Sequence, residues 1–150
     1  MFHRTLLVGL LVTSIASGAC AAAAEWETNY AKALAKAKAE NRRVLLDFTG
    51  SDWCPPCMAL RKQVFSNPAF SAYAQKKLIL VEVDYPKRKM QSTQLKSQND
   101  KLGRQYGIND KVFPTIVLLD SAGKTVREFS GYDGETAADL IAWIEGKKRM

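Results

Sequence analysis

Histidine and cysteine are scarce in these 150 residues: the one histidine is His3, and the three cysteines are Cys20, Cys54 and Cys57. Three cysteines are too few for a disulfide-stapled mini-protein. Beyond Glu25 there is no histidine at all, so a zinc site built on one Cys pair would lack its other two ligands. Long apolar runs are also missing. The longest, LLVGLLVTSIA at 6–16, is too short for a comfortable membrane span. No repeat, linker or low-complexity tract divides the chain, and its length excludes two ordinary domains. Hydrophobic residues at 47% and charged residues at 25% exclude disorder.

Acidic residues are absent before Glu25, and Arg4 is the one basic residue there besides His3. The remainder holds 21 basic and 15 acidic residues, a net charge of +6 out of +7 for the whole chain. That excess lies in short clusters: Lys36, Lys38, Arg42 and Arg43, then Lys87-Arg88-Lys89, then Lys147-Lys148-Arg149. Clusters of this size are solvated faces and termini rather than a nucleic-acid or anionic-lipid footprint.

The beginning of the chain is an address. A short basic start and the apolar run at 6–16 lead into small residues, Ser17-Gly18-Ala19-Cys20-Ala21-Ala22-Ala23-Ala24. Both Ala22-Ala23-Ala24 and Ala19-Cys20-Ala21 fit a small-x-small cleavage site. The expectation is a signal peptide over 1–24, a folded domain over 25–150, and a periplasmic or secreted location. Ser17-Gly18-Ala19-Cys20 also resembles the bacterial lipoprotein box, with Ser17 where a branched apolar residue usually stands. Cys20 is thus either a lipid anchor or lost with the signal. In both cases the folded part keeps only Cys54 and Cys57.

Along that domain the apolar spacing of Trp26, Tyr30, Leu34 and Ala37 predicts an amphipathic helix over 25–42. Val44-Leu45-Leu46-Asp47-Phe48 has the length of a buried strand, broken by one carboxylate. A loop, a helix over 55–64, a break at Asn67-Pro68 and a short helical stretch over 70–75 follow. Strands are expected over 78–83, 114–119 and 125–129, the last two joined by Asp120-Ser121-Ala122-Gly123. Helices around 95–106 and 135–145 complete an α/β domain.

The chemistry-bearing motif is Trp53-Cys54-Pro55-Pro56-Cys57, placed between a buried strand and a helix. Two intervening residues bring the sulfurs within disulfide reach across one helical turn. Cys54 falls near the N-cap, where unpaired N–H groups and the helix dipole favour its thiolate. Cys57, one turn further in and better shielded, would be the resolving thiol. Pro55 and Pro56 fit a first turn, whose N–H groups have no intrahelical acceptor. They also remove two donors from the Cys54 sulfur, and no histidine stands nearby, so the thiolate should be only modestly favoured. That points to a reductant rather than a strong oxidant. Trp53 would cover one side of the sulfurs. The competing reading of the pair is a Cu(I) carrier, with Met58 or Met90 as helpers.

Asp47-Phe48, Trp53-Cys54-Pro55-Pro56-Cys57, Tyr106-Gly107-Ile108, Phe113-Pro114-Thr115 and Gly123 together resemble the thioredoxin-like superfamily. The run Phe48-Thr49-Gly50-Ser51-Asp52-Trp53-Cys54 is most similar to its secreted bacterial disulfide reductases. The resemblance implies a thioredoxin fold, with a central four-stranded mixed sheet, flanking helices and an N-terminal helix. It implies a redox-active Cys54–Cys57 disulfide, and a cis Phe113–Pro114 peptide whose backbone pairs with extended substrate beside Trp53. Gly131 matches a glycine near the site. Asp47, desolvated within its strand, would accept the Cys57 proton. Two departures stand out: the loop from Asp47 to Cys54 is one residue longer, and Leu80 replaces a lysine that would partner Asp47. Asp52 is expected to be a solvated loop residue. Protein disulfides as substrates, a membrane electron donor, a monomeric state, and no cofactor, metal or nucleic acid complete the expectation. A disulfide oxidase or isomerase is the other direction the same chemistry could run.

Overall fold

The computed structural model describes residues 23–150. Cys20 and the expected signal segment up to Ala22 lie outside the described residues. The elements are β1 (Trp26–Glu27), α1 (Tyr30–Glu40), β2 (Arg43–Thr49), α2 (Pro55–Leu60), α3 (Pro68–Lys77), β3 (Leu78–Asp84), α4 (Thr93–Gln105), β4 (Thr115–Leu119), β5 (Thr125–Ser130) and α5 (Ala137–Ile144). A π-helical turn, Arg61–Phe65, extends α2, and a 3-10 turn, Ile108–Asp110, follows α4. No helix among the described residues is long and apolar enough to cross a membrane.

The sheet has five strands in the order β1-β3-β2-β4-β5, not the expected four. β1, β3 and β2 run parallel, while β4 is antiparallel to β2 and β5 to β4. The added strand comes from the segment expected to begin the first helix. Trp26 pairs with Leu80 and Glu27 with Val81, and the Trp26 ring stacks 4.8 Å from Phe65. The Asn29 side chain accepts the Lys32 N–H at 2.9 Å, so the helix starts only at Tyr30. Pro68 likewise begins α3 earlier than its apolar spacing indicates, because Asn67 caps it by accepting the Ala69 N–H.

Helices cover both faces of β2, which explains its nearly unbroken apolar run. Val44, Leu46 and Phe48 pack with Ala33 and Ala37 of α1 and Leu102 of α4. Leu45 points the other way, into the layer formed by Leu60, Phe70, Leu140 and Ile144. Side chains alternate along a strand, so Asp47 shares the Leu45 face, on the side of α2. The single carboxylate in the strand is thereby placed beneath the helix that carries the cysteines.

Candidate active site

β2 delivers the chain to a tight loop in which the Cys54 N–H donates to the Gly50 carbonyl at 2.9 Å. Cys54 then adopts the extended backbone of an N-cap, and Pro55 and Pro56 open α2. The Cys54 sulfur accepts the Cys57 N–H at 3.3 Å. The two prolines have no N–H to offer, so the first turn supplies this single donor to the sulfur. Cys54 and Cys57 are joined as a disulfide with Cα atoms 5.3 Å apart. Their exposures are 3% and 4%, so Cys57 is not the better shielded of the two, contrary to expectation. Both are buried, and what distinguishes them is position along the helix.

Trp53 is held by segments outside its own loop as well as within it. Its Nε1–H donates to the Tyr85 carbonyl at 2.7 Å, Phe113 meets it edge-on at 5.6 Å, and the Lys87 ammonium sits 4.0 Å from the ring centroid. The indole also lies flat against Gly50, where a Cβ would fall 2.4 Å from Cε2. Gly50 is therefore a site residue that pattern reading passed over, since its role is an absence of atoms facing a ring distant by three residues. Gly50→Ala is expected to push the indole off the Tyr85 carbonyl and cost about 1–3 kcal/mol, the range for overpacking. Denaturant unfolding of the variant checks this; an unchanged midpoint would mean the indole is not seated as described.

Asp52 has a definite task rather than free solvation. Its Oδ1 accepts the Lys87 N–H at 2.9 Å, and its Oδ2 accepts those of Arg88 and Lys89 at 2.8 and 2.9 Å. These bonds, led by that from Lys87, hold its carboxyl below the usual carboxylate range. Ser51 ties the same loop to Asp84 through its N–H at 2.9 Å and its hydroxyl at 2.6 Å. Asp52 thus clamps the loop before Cys54 onto the segment after β3.

The Phe113–Pro114 peptide is cis, and Pro114 is buried at the head of β4. Phe113 contacts both Trp53 and, at 5.7 Å, Tyr85, which brings this segment beside the cysteine motif. Gly131, at φ 89°, donates its N–H to the Pro114 carbonyl at 2.8 Å. A positive φ of that size favours glycine, so Gly131 belongs to the structure around Pro114.

Asp47 is 2% exposed, and its Oδ1 has no hydrogen-bond partner. Burial pushes its carboxyl up from 3.8 to about 8, with Arg61 pulling the other way and Glu82 and Asp84 adding to the rise. Leu80, in the place where the resemblance has a lysine, pairs with Leu45 and is buried. Asp47 nevertheless has a cation in range. Arg61, four residues beyond Cys57, forms an ion pair with Glu82, and Glu82 is the register partner of Asp47 across β2 and β3. Neither Arg61 nor Glu82 was singled out from the sequence. Strand register could have found Glu82, but Arg61 reaches the group only through the tertiary fold.

A profile of the thioredoxin-like domain matches residues 30–147. The chain is 35% identical over 118 residues to disulfide bond reductase DsbH of Chlamydia pneumoniae, covering 79% of this chain and 69% of that one. It is 34% identical over 115 residues to thioredoxin-related protein DsbJ of the same organism, covering 77% of this chain but only 32% of DsbJ. A solved structure of DsbH oxidoreductase superposes with a TM-score of 0.78 at 29% identity, covering 94% of each chain. With its mixed sheet, its Cys-Pro-Pro-Cys turn at the end of β2 and a family profile spanning nearly all described residues, the chain belongs to the thioredoxin-like domain family.

Proposed function

We propose that this chain is an exported thiol–disulfide oxidoreductase working as a reductant of protein disulfides. The observation that carries the reading is the placement of Cys54 and Cys57 across the first turn of α2, with the Cys54 sulfur at the N-cap. There the sulfur meets the positive end of the helix and one N–H donor, which favours the thiolate that performs exchange.

In the reduced protein, the Cys54 thiolate attacks one sulfur of a substrate disulfide and the other leaves as a thiolate. Cys57 gives up its proton, with Asp47 as acceptor, and its sulfur displaces the substrate from Cys54. The substrate gains two electrons, its two thiolates take one proton from solvent and one returned by Asp47, and the Cys54–Cys57 disulfide remains. A second dithiol, proposed to belong to a membrane electron donor, restores the reduced pair by the same exchange in reverse. Trp53, Phe113 and the cis Pro114 form the surface proposed to receive the extended substrate. An exported location follows from the small-residue boundary after the apolar run, with Cys20 as the candidate anchor.

The direction of electron flow is tested by equilibrating the protein against a glutathione buffer. One donor to the Cys54 sulfur stabilises the thiolate modestly, and a modestly stabilised thiolate leaves the disulfide form favoured. A potential nearer about −270 mV than −120 mV is expected, together with reduction of a protein disulfide. A value above about −180 mV, in the isomerase range, would replace this reading by the oxidase or isomerase one. Stoichiometric Cu(I) on a protein that reduces no disulfide would replace it by the carrier.

A further inference from the structure

The segment 85–90 combines a fixed backbone with three exposed cations. Its N–H groups at Lys87, Arg88 and Lys89 are all taken by Asp52. Its two ends are tied by the Tyr85 N–H to the Thr49 carbonyl at 2.9 Å and by Gln91 Nε2 to the Asp84 carbonyl at 3.0 Å. Lys87, Arg88, Lys89 and Met90 are exposed, Met90 at 97%. None of the ion pairs among the described residues uses these three cations. The carboxylates closest in the chain are already occupied: Asp52 by the three backbone N–H groups, and Asp84 by Ser51.

The position of this loop matters as much as its charge. Asp52 and Trp53 immediately precede Cys54, and the Lys87 ammonium rests on the Trp53 ring. Three positive charges are thus clamped onto the Trp53 flank of the disulfide by backbone bonds, and their side chains stay exposed, with the Lys89 ammonium donating to the Ser51 hydroxyl at 3.5 Å. A fixed backbone lowers the ordering cost of binding, and clustered charge speeds encounter with an oppositely charged partner.

Resting on the disulfide-exchange reading above, we propose that Lys87, Arg88 and Lys89 form a docking surface for an acidic stretch of a partner protein, next to its reactive disulfide. A polypeptide fits this place better than an anionic bilayer. A chain can lie on the cations and still present a disulfide to Cys54, whereas a flat surface seated on this flank would cover the pair. Rim charges of this kind act mainly on association rate and its salt dependence.

The test uses three peptides that each hold one internal disulfide flanked by aspartate, serine or lysine runs, reduced by the dithiol form of the protein. At about 0.02 M salt, where screening is weak, the aspartate peptide should react about tenfold or more faster than the lysine peptide. The ratio should approach one at about 0.5 M salt. It should also fall toward one in an Arg88→Gln/Lys89→Gln variant, which spares the lysine on Trp53. Independently, the aspartate peptide with both cysteines replaced by serine should bind the oxidised protein, more weakly in the variant and at high salt. Binding of that peptide with no reduction of any disulfide would sustain the docking surface and remove the redox reading. Reduction of all three peptides at one rate, without binding, would overturn the docking surface. So would retention of the protein on phosphatidylglycerol vesicles with no preference among the peptides.

Discussion

Cys54→Ser is expected to lower disulfide exchange to the uncatalysed background, a loss of several orders of magnitude, while Cys57→Ser accumulates mixed disulfides through Cys54. The two cysteines are equally buried, so the asymmetry rests on where each sits. The Cys54 sulfur stands at the N-cap and accepts the Cys57 N–H; Cys57 lies within the helix and is placed to attack Cys54 from the first turn. Serine is itself a favoured N-cap residue, so Cys54→Ser should keep α2 and lose chemistry rather than fold. Non-reducing mass measurement of each variant, incubated with an oxidised protein substrate, separates the possibilities. If the adducts formed on Cys54→Ser, held through Cys57, the attacking and resolving roles would be exchanged.

Much of this site was legible because its residues act through local geometry. A Cys-Pro-Pro-Cys turn between an apolar strand and a helix defines the cap, the prolines' places and the sulfur spacing without any tertiary contact. Asp47 was legible for a related reason: one carboxylate in an apolar run of strand length must be desolvated wherever the strand packs. The failures have physical causes as well. Trp26 falls in helical register with Tyr30, Leu34 and Ala37, and a strand of two residues shows no alternation. Only pairing with Leu80 and contact with Phe65 reveal it as sheet. Gly50 and Asp52 look like ordinary loop residues until the Trp53 ring and the 85–90 backbone are in place. Arg61 stands on a helix surface in sequence terms, yet its guanidinium reaches Glu82 and the field of Asp47. In each miss the deciding neighbour lies on another element, where periodicity carries no information.

Asp47→Asn is expected to stabilise the oxidised protein and, in the same variant, to slow release of the mixed disulfide. The carboxyl is raised from 3.8 to about 8, first by burial and then by Glu82 and Asp84, against the pull of Arg61. Between those two pH values the folded chain holds one proton more than the unfolded chain, so stability falls as pH rises. The contribution of protonated Asp47 is complete below about pH 3.8 and is lost as pH rises through about 8. Asparagine cannot ionise and avoids that loss. The gain should therefore be near zero at low pH, grow by about 1.4 kcal/mol per pH unit, and level off above about pH 8 at several kcal/mol. Denaturant unfolding of both proteins across this window measures it; a gain independent of pH would show that the carboxyl does not titrate in this range. In the exchange proposed above, this buried carboxyl would have a use as the proton acceptor. Its ionised fraction rises across neutral pH, where Cys57 must lose a proton before it can attack. Resolution of a preformed mixed disulfide should accelerate toward pH 8 in the wild type and slow about 100-fold in the variant, the lower end of the range for general base catalysis. The initial attack by Cys54, which does not pass a proton to Asp47, should change far less. Equal slowing of both steps would assign Asp47 to the field around the sulfurs rather than to proton transfer.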